Sequence, residues 1–300
     1  MLRTMGYIEP VDSPYRVPFD GSFRVRDAPT EPPKGEGGKS HKKDNKKALE
    51  AAQKRMRMLQ RKLYAHDHYA VLLVFQAMDA AGKDGTIRAV MTGVNPAGCQ
   101  VYSFKQPSAT ELDHDFLWRV HDCLPERGRI GIFNRSHYEE VLVVRVHPDY
   151  LGAQKLPGVD MDTIWDERLE SIRDFERHLA RNGTMVLKFW LNVSQDEQRK
   201  RFLDRIDEPE SNWKFNSGDV KERRAWDRYM SSYEAALDAT SRPWAPWYAV
   251  PADDKAYMRR VVAETICESL EKLPVHFPEV GEKELDEMKR LRKELVGDGE

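Results

Sequence analysis

The chain has 300 residues, 40% of them apolar and 33% charged, enough for one large domain or a domain with an appendage. Its 48 basic and 50 acidic side chains nearly cancel, so net charge alone does not point to a polyanionic partner. Three widely separated cysteines, Cys99, Cys123 and Cys267, exclude a disulfide framework and a cysteine metal cluster, and point to a reducing compartment. No run approaches the roughly 20 apolar residues of a membrane span, and the N-terminus lacks the apolar core of a signal peptide. A cytoplasmic protein with no membrane association is therefore expected.

Residues 1–43 are rich in Pro, Gly and charge and predict a loosely packed N-terminal arm. Between Lys34 and Lys62, eleven Lys/Arg stand against three Asp/Glu, which reads either as a solvated helix face or as a basic wall beside an anion site. A helix is expected from Asp44, with Ala52, Met56, Leu59 and Leu63 forming one apolar stripe. "YAVLLVF" (69–75) is a continuous apolar run, the signature of a strand buried on both faces of a parallel sheet.

"QAMDAAGKDGT" (76–86) follows directly. It approximates a Walker A loop, but Ala77 stands where the first Gly belongs and Asp84 where the Ser or Thr belongs. A Gly-rich turn between a buried strand and a helix aims its backbone amides at one spot, with the positive end of the helix dipole behind them. Ala80, Ala81, Gly82, Asp84, Gly85 and Thr86 would form this cradle, and Lys83 adds an ammonium that follows phosphate oxygens. Without the hydroxyl at 84, a carboxylate such as Asp79 takes over as metal ligand, since magnesium prefers carboxylate and water oxygens.

The alternation continues with a helix over "DGTIRAVMTGV" and a strand at 99–104. Ser108 and Glu111 make a capping box that opens a helix through about Cys123. "RIGIF" (129–133) reads as another buried strand, ending in Asn134, Arg135 and Ser136; its carboxyl end should face the same crevice as the loop, as ligand sites in open α/β sheets do. Asn134 stands where a Walker B Asp normally ends the strand, which shifts metal and base duties toward Asp79 and Glu139. An amphipathic helix (162–181), a long strand (184–193) and a second capping signature at Ser194 and Glu197 come next. In "RKRFLDRI", Arg201 and Arg205 lie four apart on one helix face, with Leu203 or Phe202 and Ile206 expected toward the core. A last strand (247–252), a core helix (255–273) and a charged helix or tail (281–295) complete an alternation that implies a doubly wound α/β sheet.

The stretches "FQAMDAAGKDGTIRAVMTGVNPAGCQVYSFKQPSATELDHDFLWR" and "LPERGRIGIFNRSHYEEVLVVRVHP" resemble the polyphosphate kinase 2 family, the polyphosphate:nucleotide phosphotransferases. The resemblance runs from about residue 15 to residue 262 and leaves out the tail beyond about 275. It implies a P-loop kinase three-layer α/β/α sandwich, similar to thymidylate kinase, over 44–275, with a helical lid at about 195–240 and a separate tail at 276–300. It also implies transfer of a terminal phosphoryl group between polyphosphate and nucleoside mono- or diphosphates (AMP, ADP, ATP), with Mg²⁺ or Mn²⁺, in a dimer or tetramer, with no nucleic acid partner.

On the family pattern, Asp79, Gly82, Lys83 and Gly85 match the Walker A signature, which makes Asp84 ordinary there. Phe133, Asn134, Arg135 and Ser136 match Walker B, and "HYEE" with Glu139 is similar to the subgroup using both nucleoside mono- and diphosphates. Arg201 and Arg205 inherit the role of lid arginines, Lys105 matches a basic position near the phosphates, and Arg88 with part of the 34–62 run would line a basic channel. Two other readings compete. An ATP-dependent nucleoside monophosphate kinase would share loop and lid but have a donor-nucleoside pocket in place of a long groove; a silent polyanion- or RNA-binding protein would have no use for Asp79 inside the loop.

Overall fold

The computed structural model describes residues 7–297. In chain order the elements are α1 (Gly38–His66), β1 (Ala70–Ala77), α2 (Lys83–Val90), β2 (Cys99–Ser103), α3 (Ala109–Leu112), α4 (Trp118–His121) and β3 (Ile130–Asn134). They continue with α5 (Val143–Val146), α6 (Ile164–Arg181), β4 (Thr184–Asn192), α7 (Gln195–Asp207), α8 (Ser217–Glu222), α9 (Trp226–Thr240), β5 (Trp247–Pro251), α10 (Lys255–Glu271) and α11 (Glu282–Gly297). The strands form one parallel sheet in the order β2-β3-β1-β4-β5.

β1 lies in the middle of the sheet, flanked by β3 and β4 with helices on both faces, and is buried along nearly its whole length, as its apolar run AVLLVF allows. The chain leaves β1 toward β3 and β2, then returns to its other side through β4, so the carboxyl end of β1 is the topological switch point where crevices open. One face of the sheet is covered by α6 and α9, where Lys188 and Trp190 of β4 meet Glu176 and Tyr233. α10 and α2 cover the other, with α1 packed against α10.

Several expectations need correction. The N-terminal segment is not loosely packed: Val11, Tyr15, Val17 and Phe23 are buried. Val17 N donates to Trp247 O and Ala249 N to Tyr15 O, so this segment covers the open edge of β5 and satisfies backbone groups that would otherwise invite strand pairing. α1 begins at Gly38, six residues before the expected start. The Ser108–Glu111 capping box forms, but its helix ends after one turn; Asp115 accepts from Leu117 N and restarts the chain as a separate turn. At Ser194 only half of the box forms: Glu197 N donates to Ser194 Oγ, while the Glu197 carboxylate turns forward to Arg201. On α7 only Phe202 faces the core; Leu203 and Ile206 are exposed. Of the span expected as a lid, α9 belongs to the core layer through Tyr229, Tyr233, Ala236 and Leu237.

Under the sheet, Lys188 is fully buried, its Nζ donating to Glu176 Oε2 at 2.5 Å, Tyr138 Oη at 2.9 Å and Thr240 O at 2.9 Å. Burial pulls the lysine pKa down to about 8, against the pull of Glu176. Truncating one partner strands the other as an uncompensated charge. Lys188→Met is therefore expected to lower unfolding stability by about 3–5 kcal/mol in a denaturant titration, and Lys188→Met/Glu176→Leu to recover much of that loss.

Candidate active site

The phosphate loop is shaped by two left-handed residues, Ala80 (φ 63°) and Gly82 (φ 100°). Gly82 caps α2 in that conformation, so a side chain there would be strained even though the space beside it is open enough for a methyl group. Gly85 has a different reason: a Cβ would lie 3.1 Å from Arg259 Nη2 of α10. Thr86 is buried and donates its hydroxyl to Gly82 O, locking the first turn. The turn between β1 and α2 that the sequence predicts forms at Ala80, Ala81 and Gly82, with Asp84, Gly85 and Thr86 in the first turn of α2.

The sheet register brings the second element alongside. Phe75 pairs with Asn134, and Ser103 pairs with Asn134 from the other side. Lys83 Nζ donates to Asn134 Oδ1 at 2.5 Å, and Asn134 Nδ2 donates to Asp84 Oδ1 at 2.8 Å and to Ser103 Oγ at 3.2 Å. The Asn that replaces the Walker B Asp therefore ties the loop lysine, Asp84 and β2 together. Arg135 follows at φ 62°, its N–H bonded to Phe75 O, an uncommon conformation for a branchless cation that aims its side chain back over the loop. Its Nη2 reaches Asp79 Oδ1 at 2.7 Å and its Nη1 lies 3.7 Å from Glu139 Oε2.

Charge is concentrated here without full compensation. Burial, then the neighbouring Arg135, lowers the Lys83 pKa to about 8. Arg135 is held above the ordinary arginine range by Glu139 first and then Asp79, while burial raises Glu139 despite the opposing pull of Arg135. In the free enzyme Lys83 therefore loses its proton well below a solvent-exposed lysine. We expect kcat/KM to fall as pH rises through about 8, with the corresponding limb in kcat displaced upward because bound phosphate favours the ammonium. The stability contribution has the opposite sign: between about 8 and 10.5 the unfolded chain binds more protons, so stability rises with pH as activity falls.

The two α7 arginines separate. Arg205 pairs with Asp219 of α8 at 3.5 Å, and Asp219 is raised by burial and then by the charge of Asp79. Arg201 is buried; its Nη1 donates to Ala80 O and Ala81 O, its Nη2 to Ala252 O and Asp253 O, and its Nε to Glu197. With its donors so engaged, Arg201 holds the loop from behind and does not reach into the cleft, a correction to the lid role. Spacing put both arginines on one face; only tertiary packing distinguished a buried clamp from a cation paired with α8.

Three further residues were not singled out from sequence. Gln198 is buried and donates to Asp79 O at 2.9 Å, while its Oε1 accepts from Arg223 at 2.8 Å, linking Arg223 to the loop. Arg259 and Lys255 lie one turn apart on α10; burial, then Arg88 and Arg201, depresses Arg259, and burial, then Arg201, depresses Lys255. Their four-residue spacing in "KAYMRR" was the available signal. Lys105 is exposed just past the end of β2, and Arg88 is exposed on α2.

The 34–62 run does not form one wall. Its N-terminal part starts beside the α10 cap, where Gly38 N donates to Asp254 Oδ2, at the same end of the sheet as the loop. Arg55 is committed to Glu271 and Arg61 lies over Phe277, far along the helix. Among the described residues no group of three or more His, Cys, Asp or Glu is arranged to hold a metal ion by itself. Asp79, whose Oδ1 accepts from Arg135, is the loop carboxylate that would hold a cation together with substrate phosphates. No helix among the described residues is long and apolar enough to cross a membrane.

The sequence profile described as "Polyphosphate kinase 2 (PPK2)" matches residues 39–278. An "ADP-polyphosphate phosphotransferase" of Rhodopseudomonas palustris is 56% identical over 244 residues, 81% of this chain and 84% of that protein. An "AMP/ADP-polyphosphate phosphotransferase" of Meiothermus ruber is 47% identical over 266 residues, 88% of this chain and 95% of its own. The crystal structure of polyphosphate kinase 2 from Arthrobacter aurescens TC1 superposes with a TM-score of 0.85 at 36% identity, covering 96% of this chain and 99% of that one. The P-loop kinase architecture read from "AGKDG" and the parallel sheet is the architecture observed, and the chain belongs to the polyphosphate kinase 2 family.

Proposed function

We propose that this enzyme transfers the terminal phosphoryl group of inorganic polyphosphate to nucleoside mono- and diphosphates, AMP to ADP and ADP to ATP, reversibly. The observation that carries the reading is the convergence of Lys83, Asn134, Arg135 and Asp79 at the switch point, with Arg88, Arg259 and Lys255 adding positive charge beside the loop. Two polyanions repel one another until fixed charge is supplied, and a preorganised site supplies it without reorganisation at the moment of reaction.

The loop amides and Lys83 hold the terminal and penultimate phosphates of the chain. Arg135 and the Arg205–Asp219 pair orient the acceptor phosphate. An acceptor phosphate oxygen attacks the terminal phosphorus in line, the bond to the penultimate phosphate breaks, and the shortened chain leaves with the electron pair. The transition state is loose, so positioning and charge carry most of the catalysis. Asp79 would hold a divalent ion, Mg²⁺ with Mn²⁺ as substitute, which would supply positive charge to the reacting phosphates. Lys83 is held toward that position by Asn134, and Gln198 fixes the Asp79 backbone. Its free cysteines fit a reducing cytoplasmic setting.

The test mixes the enzyme with Mg²⁺, long-chain polyphosphate and AMP or ADP, without ATP, and follows nucleotides by anion-exchange chromatography. New ADP and ATP are expected. Product that forms only when ATP replaces polyphosphate would overturn the reading in favour of a nucleoside monophosphate kinase, and no product with either donor would favour a non-catalytic polyanion-binding protein.

A further inference from the structure

The helix α11 lies beyond the family match, which ends at residue 278, and every one of its residues is exposed. At 100° per residue, Leu285, Met288, Leu291, Leu295 and Val296 fall within an arc of about 140°, a continuous apolar stripe facing solvent. A single helix of this length is marginal in water, and its ion pairs Lys289–Asp286 and Arg290–Glu287 on the outer face contribute little each. A covering partner is called for, and the charges inside the stripe say which.

Two charged residues interrupt the arc, Glu284 and Arg292. They lie four residues to either side of Met288 and carry opposite charge; Leu285 and Leu291 lie three residues to either side. A two-fold axis through Met288 therefore sets Glu284 of one helix against Arg292 of an antiparallel copy, twice, and Leu285 against Leu291, twice. Parallel pairing in register would set Glu284 against Glu284 and Arg292 against Arg292. An isologous contact needs a patch that is its own complement, and this stripe is one only when antiparallel.

We propose that α11 is a self-association element, pairing antiparallel with α11 of a second copy of this chain about an axis at Met288. The contact buries only a few turns of helix, so it is a modest interface, and covalent trapping reads it better than a mass measurement alone. The full-length Met288→Cys variant, mildly oxidised, is expected to give a disulfide-linked dimer on a non-reducing gel. Lys283→Cys, on the opposite face, and the parent chain with its three native cysteines set the background.

In the Met288→Cys background, Glu284→Arg or Arg292→Glu alone is expected to reduce the trapped fraction about tenfold, the loss that roughly 1.4 kcal/mol of charge mismatch produces. Both changes in one chain are expected to restore it, as is mixing the two single variants, because each then supplies the charge the other lacks. The phosphotransferase activity is read in parallel and does not decide the outcome. Trapping at Met288→Cys no greater than at Lys283→Cys overturns the proposal and means that α11 covers its stripe with something else. Trapping that the charge variants leave unchanged overturns it as well, since the pairing would then not use this register.

Discussion

Lys83→Ala is expected to lower kcat/KM for polyphosphate-driven phosphorylation of ADP by about three orders of magnitude, with folding intact. Removing one preorganised donor from a developing anion costs about 10²–10³ in rate, and this donor stands at a phosphoryl group where cationic contacts are worth more. The ammonium is already penalised by burial and by Arg135, so its removal relieves the folded state of a cost. The variant's melting temperature should equal or exceed the parent's. Initial rates by coupled luminescence and a thermal melt of the same preparation check both halves. Near-parent activity would remove the loop lysine from the mechanism; inactivity together with a large drop in melting temperature would show that Lys83 serves folding instead.

The second large effect is expected at Asp79. Asp79→Asn keeps the shape and the Gln198 bond to the backbone oxygen but removes the charge that Arg135 and the cation share. Turnover should fall by about 10²-fold or more, and the Mg²⁺ concentration for half-maximal rate should rise. The metal titration separates two roles: were Asp79 only a brace for Arg135, the rate would fall while the Mg²⁺ dependence stayed that of the parent. A rate within a few-fold of the parent, at parent Mg²⁺ dependence, would leave Asp79 outside the chemistry.

These two residues were legible before any coordinates because their signal is local. A buried strand, a small-residue turn and a helix start within about a dozen residues leave the backbone few options, and the chemistry of Gly-Lys at that junction follows. Asn134, Arg135 and Glu139 were legible for the same reason, from a second strand end. Arg201 was located but misassigned. Sequence spacing places it on a helix face, but whether that face meets solvent or the backbone of Ala80, Ala81 and Ala252 depends on elements far apart in the chain. Gln198 and Arg223 gave no comparable local signal, because each is defined by a partner on another element.

The sequence by itself determined the strand and helix alternation, the position of the phosphate loop and the family, since periodicity, turn chemistry and motif spacing are properties of neighbouring residues. The tertiary structure alone decided that the N-terminal segment closes the β5 edge and that α9 is core. It also decided that one α7 arginine clamps the loop while the other pairs with Asp219 of α8. The physical reason is that burial and hydrogen-bond satisfaction are set by what packs against a residue, and the chain brings those partners from far away in sequence, across 242 residues in the Tyr15–Tyr257 hydroxyl pair.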